Sequence, residues 1–284
     1  MRRLMLPLLV ALLPAVTLAQ TTDKALQKIR ESKTVRIAYR TDAPPFASDN
    51  GGQPSGYTVE LCKRVVASLE QQLKVQPLAV KWVPVNVGSR LDVIRKGEAD
   101  MECGTTTATL ERMEQVDFSN PVWVDVSGVL VRKNSGAKTI GSLAGKNIAV
   151  VANTPNQRAL EDSLKKGLVN AKVVPAKTYE EAIALLEGGK ADALVAGKTM
   201  LVGMASQFKD KTEYEMLNDE IGYVPYAIAL PLAASGLRLA VNRALSQIYE
   251  SDAIGDIFRG TFGTTAKPSV ALLIMYRLNV YPER

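Results

Sequence analysis

Met101-Glu-Cys-Gly-Thr-Thr-Thr-Ala-Thr-Leu-Glu-Arg112, followed by Glu114-Gln-Val-Asp-Phe-Ser119, is the stretch on which the reading of this chain turns. An apolar run ends in three threonines, and an arginine follows seven residues after Thr105. Threonine hydroxyls and turn N–H groups can take one oxygen of a small anion. The planar guanidinium of Arg112 can take both oxygens of a carboxylate in a fixed fork. The competing expectation for the same residues is a strand, a turn and a surface Arg–Glu pair.

The segments before this stretch place it at the edge of a parallel sheet. Thr34–Tyr39 alternates and reads as a strand, and Thr41–Gly52 reads as a turn. From Gly56-Tyr57 a helix carries its apolar residues Val59, Leu61, Cys62, Val65, Val66 and Leu69 at the 3.6-residue period. Ala79–Pro84 is a second strand, Arg90–Arg95 a short helix stopped by Gly97, and Asp100–Cys103 a third strand. Such a β-α-β-α-β order implies a parallel sheet covered by helices, with ligands outside the carboxyl ends of the strands. Arg40, Phe46, Ser89, Arg90 and the threonine turn all fall at those ends.

A second unit of the same kind follows. Lys146–Val151, Ala171–Pro175 and Asp192–Ala196 read as strands; Tyr179–Leu186 and Thr199–Ser206 read as helices. Thr154-Pro155 starts a further helix, with threonine as N-cap and proline in the first turn. Val122–Arg132 and Tyr226–Pro231 are apolar segments that cross between the two units. Amphipathic helices at Leu237–Tyr249 and Ile254–Phe262 come after the second crossing, and the tail from Lys267 packs along a lobe.

The ends and the composition bound the rest. Arg2 and Arg3, an apolar run over Leu4–Leu18 and small residues at Thr17 and Ala19 describe a signal peptide over residues 1–19. About fifteen apolar residues are too few for a membrane span, which needs about twenty. Losing Arg2 and Arg3 lowers the net charge from +6 to +4, and the remaining charges are dispersed, which speaks against nucleic-acid binding. The absence of histidine excludes histidine bases and histidine-ligated zinc, so no metal or cofactor is expected. Cys62 and Cys103 could bond in an exported protein, but both sit in apolar segments where a free thiol packs as a small hydrophobe. The unbridged form is the expectation.

Gly56-Tyr57, Ser89-Arg90, the Cys103–Arg112 turn, Asp117-Phe-Ser119, Tyr226-Ala-Ile-Ala-Leu230 and Ile257-Phe-Arg-Gly-Thr-Phe-Gly263 together resemble the polar amino-acid-binding proteins of bacterial ABC importers, solute-binding protein family 3. The glutamate/aspartate-binding branch is the nearest in motif. The resemblance covers about Ala25 to Gly263 and implies a type II periplasmic-binding fold: two parallel-sheet lobes joined by a two-strand hinge. Lobe 1 would comprise residues 20–125 plus 228–284, and lobe 2 residues 126–227. It further implies a periplasmic monomer that closes on a small carboxylate, of acidic or polar amino-acid type, and delivers it to a membrane permease.

Residue by residue, the resemblance assigns the α-carboxylate to Arg112, Thr105 and Thr107, and the ligand's acidic end to Arg40 and Arg90. Phe46 would face the aliphatic stem, and Thr154 and Tyr179 would complete the site from lobe 2. One departure stands out: where the family places an aspartate for the ligand's ammonium, this chain has Gly197-Lys198. Lys198 would attract an anion there, so the ligand is either an amine-free dicarboxylate or has its amine met by another acid, such as Asp192 or Glu180. The same loss would suit an enzyme on this scaffold similar to cyclohexadienyl dehydratases, with Glu180, Glu181 or Asp162 as candidate acids.

Overall fold

The computed structural model describes residues 23–283; the expected signal peptide lies outside the described residues. The first half runs α1 (Lys24–Ser32), β1 (Thr34–Arg40), three short strands β2 (Asp42–Ala43), β3 (Ala47–Asn50) and β4 (Gln53–Ser55), then α2 (Tyr57–Leu73). It continues through β5 (Ala79–Val85), α3 (Arg90–Arg95), β6 (Met101–Cys103), α4 (Leu110–Met113) and the long strand β7 (Asp117–Arg132). The second unit holds β8 (Asn147–Val151), α5 (Pro155–Lys166), β9 (Lys172–Ala176), α6 (Tyr179–Glu187), β10 (Ala193–Gly197), α7 (Lys198–Gly203) and β11 (Tyr214–Met216). The chain then returns along β12 (Tyr223–Leu230) and closes with α8 (Ser235–Glu250), α9 (Ala253–Phe262) and α10 (Val270–Leu278).

One sheet runs through both lobes in the order β5-β1-β6-β12-β7-β10-β8-β9. Strands β5, β1 and β6 are mutually parallel, as are β10, β8 and β9. Between these trios lie the two crossing strands, antiparallel to each other and to their neighbours β6 and β10. The β7–β12 register slips on either side of Ala227. At that irregularity the threonine turn attaches: the Ala227 N–H donates to Thr106 O at 3.0 Å, and Thr107 bridges to Tyr226. The threonine turn is thus tied to a strand that passes between the lobes, not only to its own lobe.

Local chemistry explains the entries to the helices. Gly56 precedes α2 at φ +117°, and a Cβ there would lie 2.5 Å from the Phe46 carbonyl oxygen, so only glycine fits. Thr154 caps α5, its hydroxyl accepting from the Gln157 N–H at 3.3 Å with Pro155 in the first turn. Across the segment expected to be only a turn, residues 41–52, and the three residues after it, the chain builds the small β2-β3-β4 sheet instead. Apolar alternation is too short there to announce strands.

The cysteines correct the expectation. Cys62 on α2 and Cys103 at the end of β6 form a disulfide, with Cα atoms 6.4 Å apart. Both remain fully buried, so apolar surroundings proved compatible with a bridge. The bond clamps the main helix of lobe 1 to the strand that launches the threonine turn. The C-terminal helix α10 packs on lobe 1, where the Tyr276 and Tyr57 hydroxyls lie 2.7 Å apart.

Candidate functional site

A narrow gap between the lobes, with a free volume of only about 10 Å³ as the lobes stand, is lined by Arg40, Arg90, Thr105, Thr107, Thr154, Pro155, Asn156, Tyr179, Met200 and Tyr226. Lobe 1 supplies the first four from the ends of β1 and β6 and the start of α3. Lobe 2 supplies residues from the first turns of α5, α6 and α7. Carboxyl ends of parallel strands face helix N-termini across the gap, an arrangement that favours anions.

Three guanidinium groups meet here. Arg40 is 2% exposed, bonded through Nε to Asp42 at 2.6 Å, with its carbon centre 5.7 Å from the Tyr179 ring centroid. Its Nη2 is buried without a hydrogen-bond partner. Arg90 is 4% exposed; its Nε donates to the Thr106 hydroxyl at 2.9 Å, and its Nη1 donates to the Val87 carbonyl. Burial, then repulsion from Arg40 and Arg112, pushes Arg90 down to about 10, so it stays charged at neutral pH. Arg112 is half-buried, held by Thr107 O at 2.9 Å and reaching Asn153 O of lobe 2 at 3.4 Å. Burial pushes its pKa down as well.

Besides Asp42, a second carboxylate sits beneath them. Glu102, in the middle of β6, is fully buried, and neither oxygen has a hydrogen-bond partner among the described residues. Burial raises its pKa, while the field of Arg90, the neighbouring Thr106 hydroxyl and the fields of Arg40 and Arg112 oppose that shift. In the sequence this residue is marked only by an acid standing inside the three-residue strand Met101–Cys103.

The lobes touch around the cavity. Arg158 of α5 pairs with Glu111 of α4 at 2.8 Å, both exposed, and Arg112 spans the gap to Asn153. The Arg40–Tyr179 contact joins the lobes from inside. A groove open to solvent, bounded by Arg90, Glu111, Arg112, Asn153 and Arg158, leads outward from this seam.

The structure therefore brings Arg40, Arg90, Thr105, Thr107, Thr154 and Tyr179 together around one cavity, with Arg112 at its rim. Two expected residues are placed elsewhere. Phe46 is fully buried and packs edge-on against Tyr57, Trp123 and Tyr226, so its ring belongs to the aromatic core of lobe 1. Lys198 turns away across Gly128, where its ammonium meets Glu220 at 3.2 Å. A nearby carboxylate and access to water hold it outside, so it does not line the cavity. Of the acids named as alternatives, Asp192 accepts from the Asn147 N–H at 2.8 Å at the far end of β10. Glu180, Glu181 and Asp162 are exposed on helix surfaces.

A single sheet whose order reverses at two crossing strands, with a cationic cavity between its halves, defines the type II periplasmic-binding fold. The chain belongs to the bacterial extracellular solute-binding proteins, family 3, whose profile matches residues 35–264. It is 26% identical to the L-glutamate/L-aspartate-binding protein of Pseudomonas aeruginosa over 260 residues, 91% of this chain and 86% of the relative. It is 24% identical to the glutamate/aspartate import solute-binding protein of Escherichia coli over 250 residues, 86% and 83% of the two chains. A solved ABC uptake substrate-binding protein from Streptococcus pneumoniae with bound histidine superposes at a TM-score of 0.73 with 20% identity, covering 86% of this chain and 98% of that one. A mutant of ArgBP from T. maritima superposes at 0.72 with 23% identity, covering 84% and 99%. Among the described residues no helix is long and apolar enough to cross a membrane.

Proposed function

We propose that this chain is the periplasmic binding protein of an ABC importer and that its ligand is a dicarboxylic amino acid of the glutamate or aspartate kind. The observation that carries the reading is the buried Arg40 guanidinium, which lines the cavity with one nitrogen unpartnered. A buried charged donor without an acceptor costs folding free energy, and an anionic ligand repays it. With Arg90 beside it and Arg112 at the rim, the cavity offers two separate guanidinium positions, matching two carboxylates. The names of the two bacterial relatives support the same class.

In this reading Arg112, Thr105 and Thr107 hold the α-carboxylate. Arg40 and Arg90 hold the distal carboxylate, and Thr154 and Tyr179 close over the ligand from the second lobe. Residues 126–227 would rotate against residues 20–125 and 228–284 about the crossing strands. Closure is favourable because the ligand touches both lobes only in the closed form. A monomer then presents the closed face to a permease. No bond is made or broken in this cycle.

A thermal-shift panel tests it. A ligand at about 100 times its Kd adds roughly 2.7 kcal/mol of stability, or roughly 5–10 °C in a protein of this size. L-glutamate or L-aspartate should produce that shift, whereas L-arginine and L-leucine should not. Stabilisation by L-arginine alone would refute the dicarboxylate reading.

A further inference from the structure

Asp125, on the crossing strand β7, is 4% exposed and is the one acid inside the apolar run Val122–Val131. Its carboxylate accepts from its neighbour's N–H on Val126 at 2.9 Å and from the Thr199 N–H and hydroxyl at 3.1–3.3 Å. Its Oδ2 also faces the Tyr226 hydroxyl at 3.3 Å. All the groups that meet it are neutral donors; it forms no ion pair among the described residues. Two residues that line the cavity bracket it: Tyr226 bonds to it, and Met200 follows its donor Thr199 in α7.

Gly197 explains how a carboxylate reaches this position. Its backbone, φ −58° and ψ 135°, is ordinary and does not require glycine. The space does: a Cβ at 197 would lie 2.5 Å from Asp125 Oδ2 and 2.6 Å from the Tyr226 hydroxyl oxygen. The carboxylate of residue 125 thus occupies the volume into which any side chain at 197 would project. Lys198, next in sequence, is turned outward onto Glu220, so no cation competes from that side. A buried anion satisfied only by neutral hydrogen bonds retains a charge that a cation can meet.

We propose that Asp125 supplies the counter-charge for the ligand's ammonium at the Tyr226–Met200 edge of the cavity, from the crossing strand, and thereby selects amino acids over amine-free dicarboxylates. The inference rests on the dicarboxylate reading above. Tyr226 completes the subsite, and the guanidinium groups at the other edge take the carboxylates. The charges around the cavity are then split, with Glu102 and Asp42 beside the arginines of lobe 1 and Asp125 behind Tyr226 at the opposite edge.

The test is calorimetric titration of wild type and Asp125→Asn with L-glutamate and L-aspartate, and with their amine-free counterparts glutarate and succinate. Asparagine retains an acceptor for Thr199, and a melting curve checks that the variant is folded. Wild type should prefer the amino acids by more than tenfold. Asp125→Asn should weaken them at least about thirtyfold while changing the diacids less than threefold. The double variant Asp125→Ala/Gly197→Asp, which moves the carboxylate onto β10, should recover most of the amino-acid affinity. Equal weakening of amino acids and diacids by Asp125→Asn would show that Asp125 only props up α7, and would overturn the proposal. Wild type that binds amino acids and diacids equally would overturn it while leaving the dicarboxylate reading standing. Wild type that binds neither would overturn both.

Discussion

Replacing Arg112 by lysine and, separately, by alanine measures how the carboxylate is held. The Arg112 guanidinium spends one nitrogen on Thr107 O at 2.9 Å and makes a longer contact to Asn153 O at 3.4 Å. It therefore reaches the rim already oriented by lobe 1, with hydrogen-bonding capacity left for a ligand. A forked contact places two charge-assisted hydrogen bonds on a carboxylate, each worth roughly 1.5–3 kcal/mol. Lysine keeps the charge and one such bond, so Arg112→Lys should cost roughly 1.5–3 kcal/mol. At 1.4 kcal/mol per factor of ten, that is about a tenfold to a hundredfold loss in affinity for L-glutamate. Alanine removes the cation and leaves a desolvated ligand carboxylate unpaired, which costs roughly 3–5 kcal/mol, so calorimetry should report at least a hundredfold loss. Neither change should lower Tm by more than a few degrees, because Arg112 is half-buried and its bonds to the protein are carbonyl contacts. Equal effects of lysine and alanine would show that the fork is not used. A loss below threefold for alanine would remove Arg112 from the site.

Three further outcomes are expected. Removing the disulfide as Cys62→Ala/Cys103→Ala opens a link across 41 residues, for which chain entropy gives about 4 kcal/mol; Tm should fall on the order of 10 °C, and an unchanged melting curve would show that packing alone holds α2 to β6. Lys198→Ala should change ligand affinity less than about threefold, because its ammonium sits on Glu220; a tenfold change by calorimetry would put it back in the cavity. Burial holds the Asp125 carboxyl above the ordinary carboxylate range, and a ligand ammonium beside it would lower it again. Binding of L-glutamate should then release a proton as the pH falls into the range where free Asp125 is partly protonated, and affinity should decline from a pH above the usual value of about 3.9. Glutarate should lack this contribution, and identical proton release for both ligands, measured in buffers of different ionisation enthalpy, would refute it.

Much of the architecture was legible in the chain because it rests on local periodicity. The alternation at Thr34–Tyr39, the 3.6-residue period after Gly56 and the Thr154-Pro155 helix start each depend on near neighbours, and each forms as read. Parallel strands then place Arg40, Arg90 and the threonine turn at one edge whatever else the sequence does. The small sheet β2-β3-β4 was not legible, since its strands are two to four residues long and are made by pairing, not by pattern.

By itself the sequence determined two α/β units, two crossings and a set of cations at the strand ends. Only the tertiary structure decided which side chains face the ligand cavity. Phe46 and Arg40 are both fully enclosed in the same lobe, yet one packs among aromatic rings and the other lines the cavity. Lys198 and Asp125 carry opposite charges toward one corner, and the room above Gly197 admits the acid while Glu220 draws the lysine out to solvent. The bonding of Cys62 to Cys103 is of the same kind. Each outcome depends on distances between segments tens of residues apart in the chain, and no local pattern encodes such a distance.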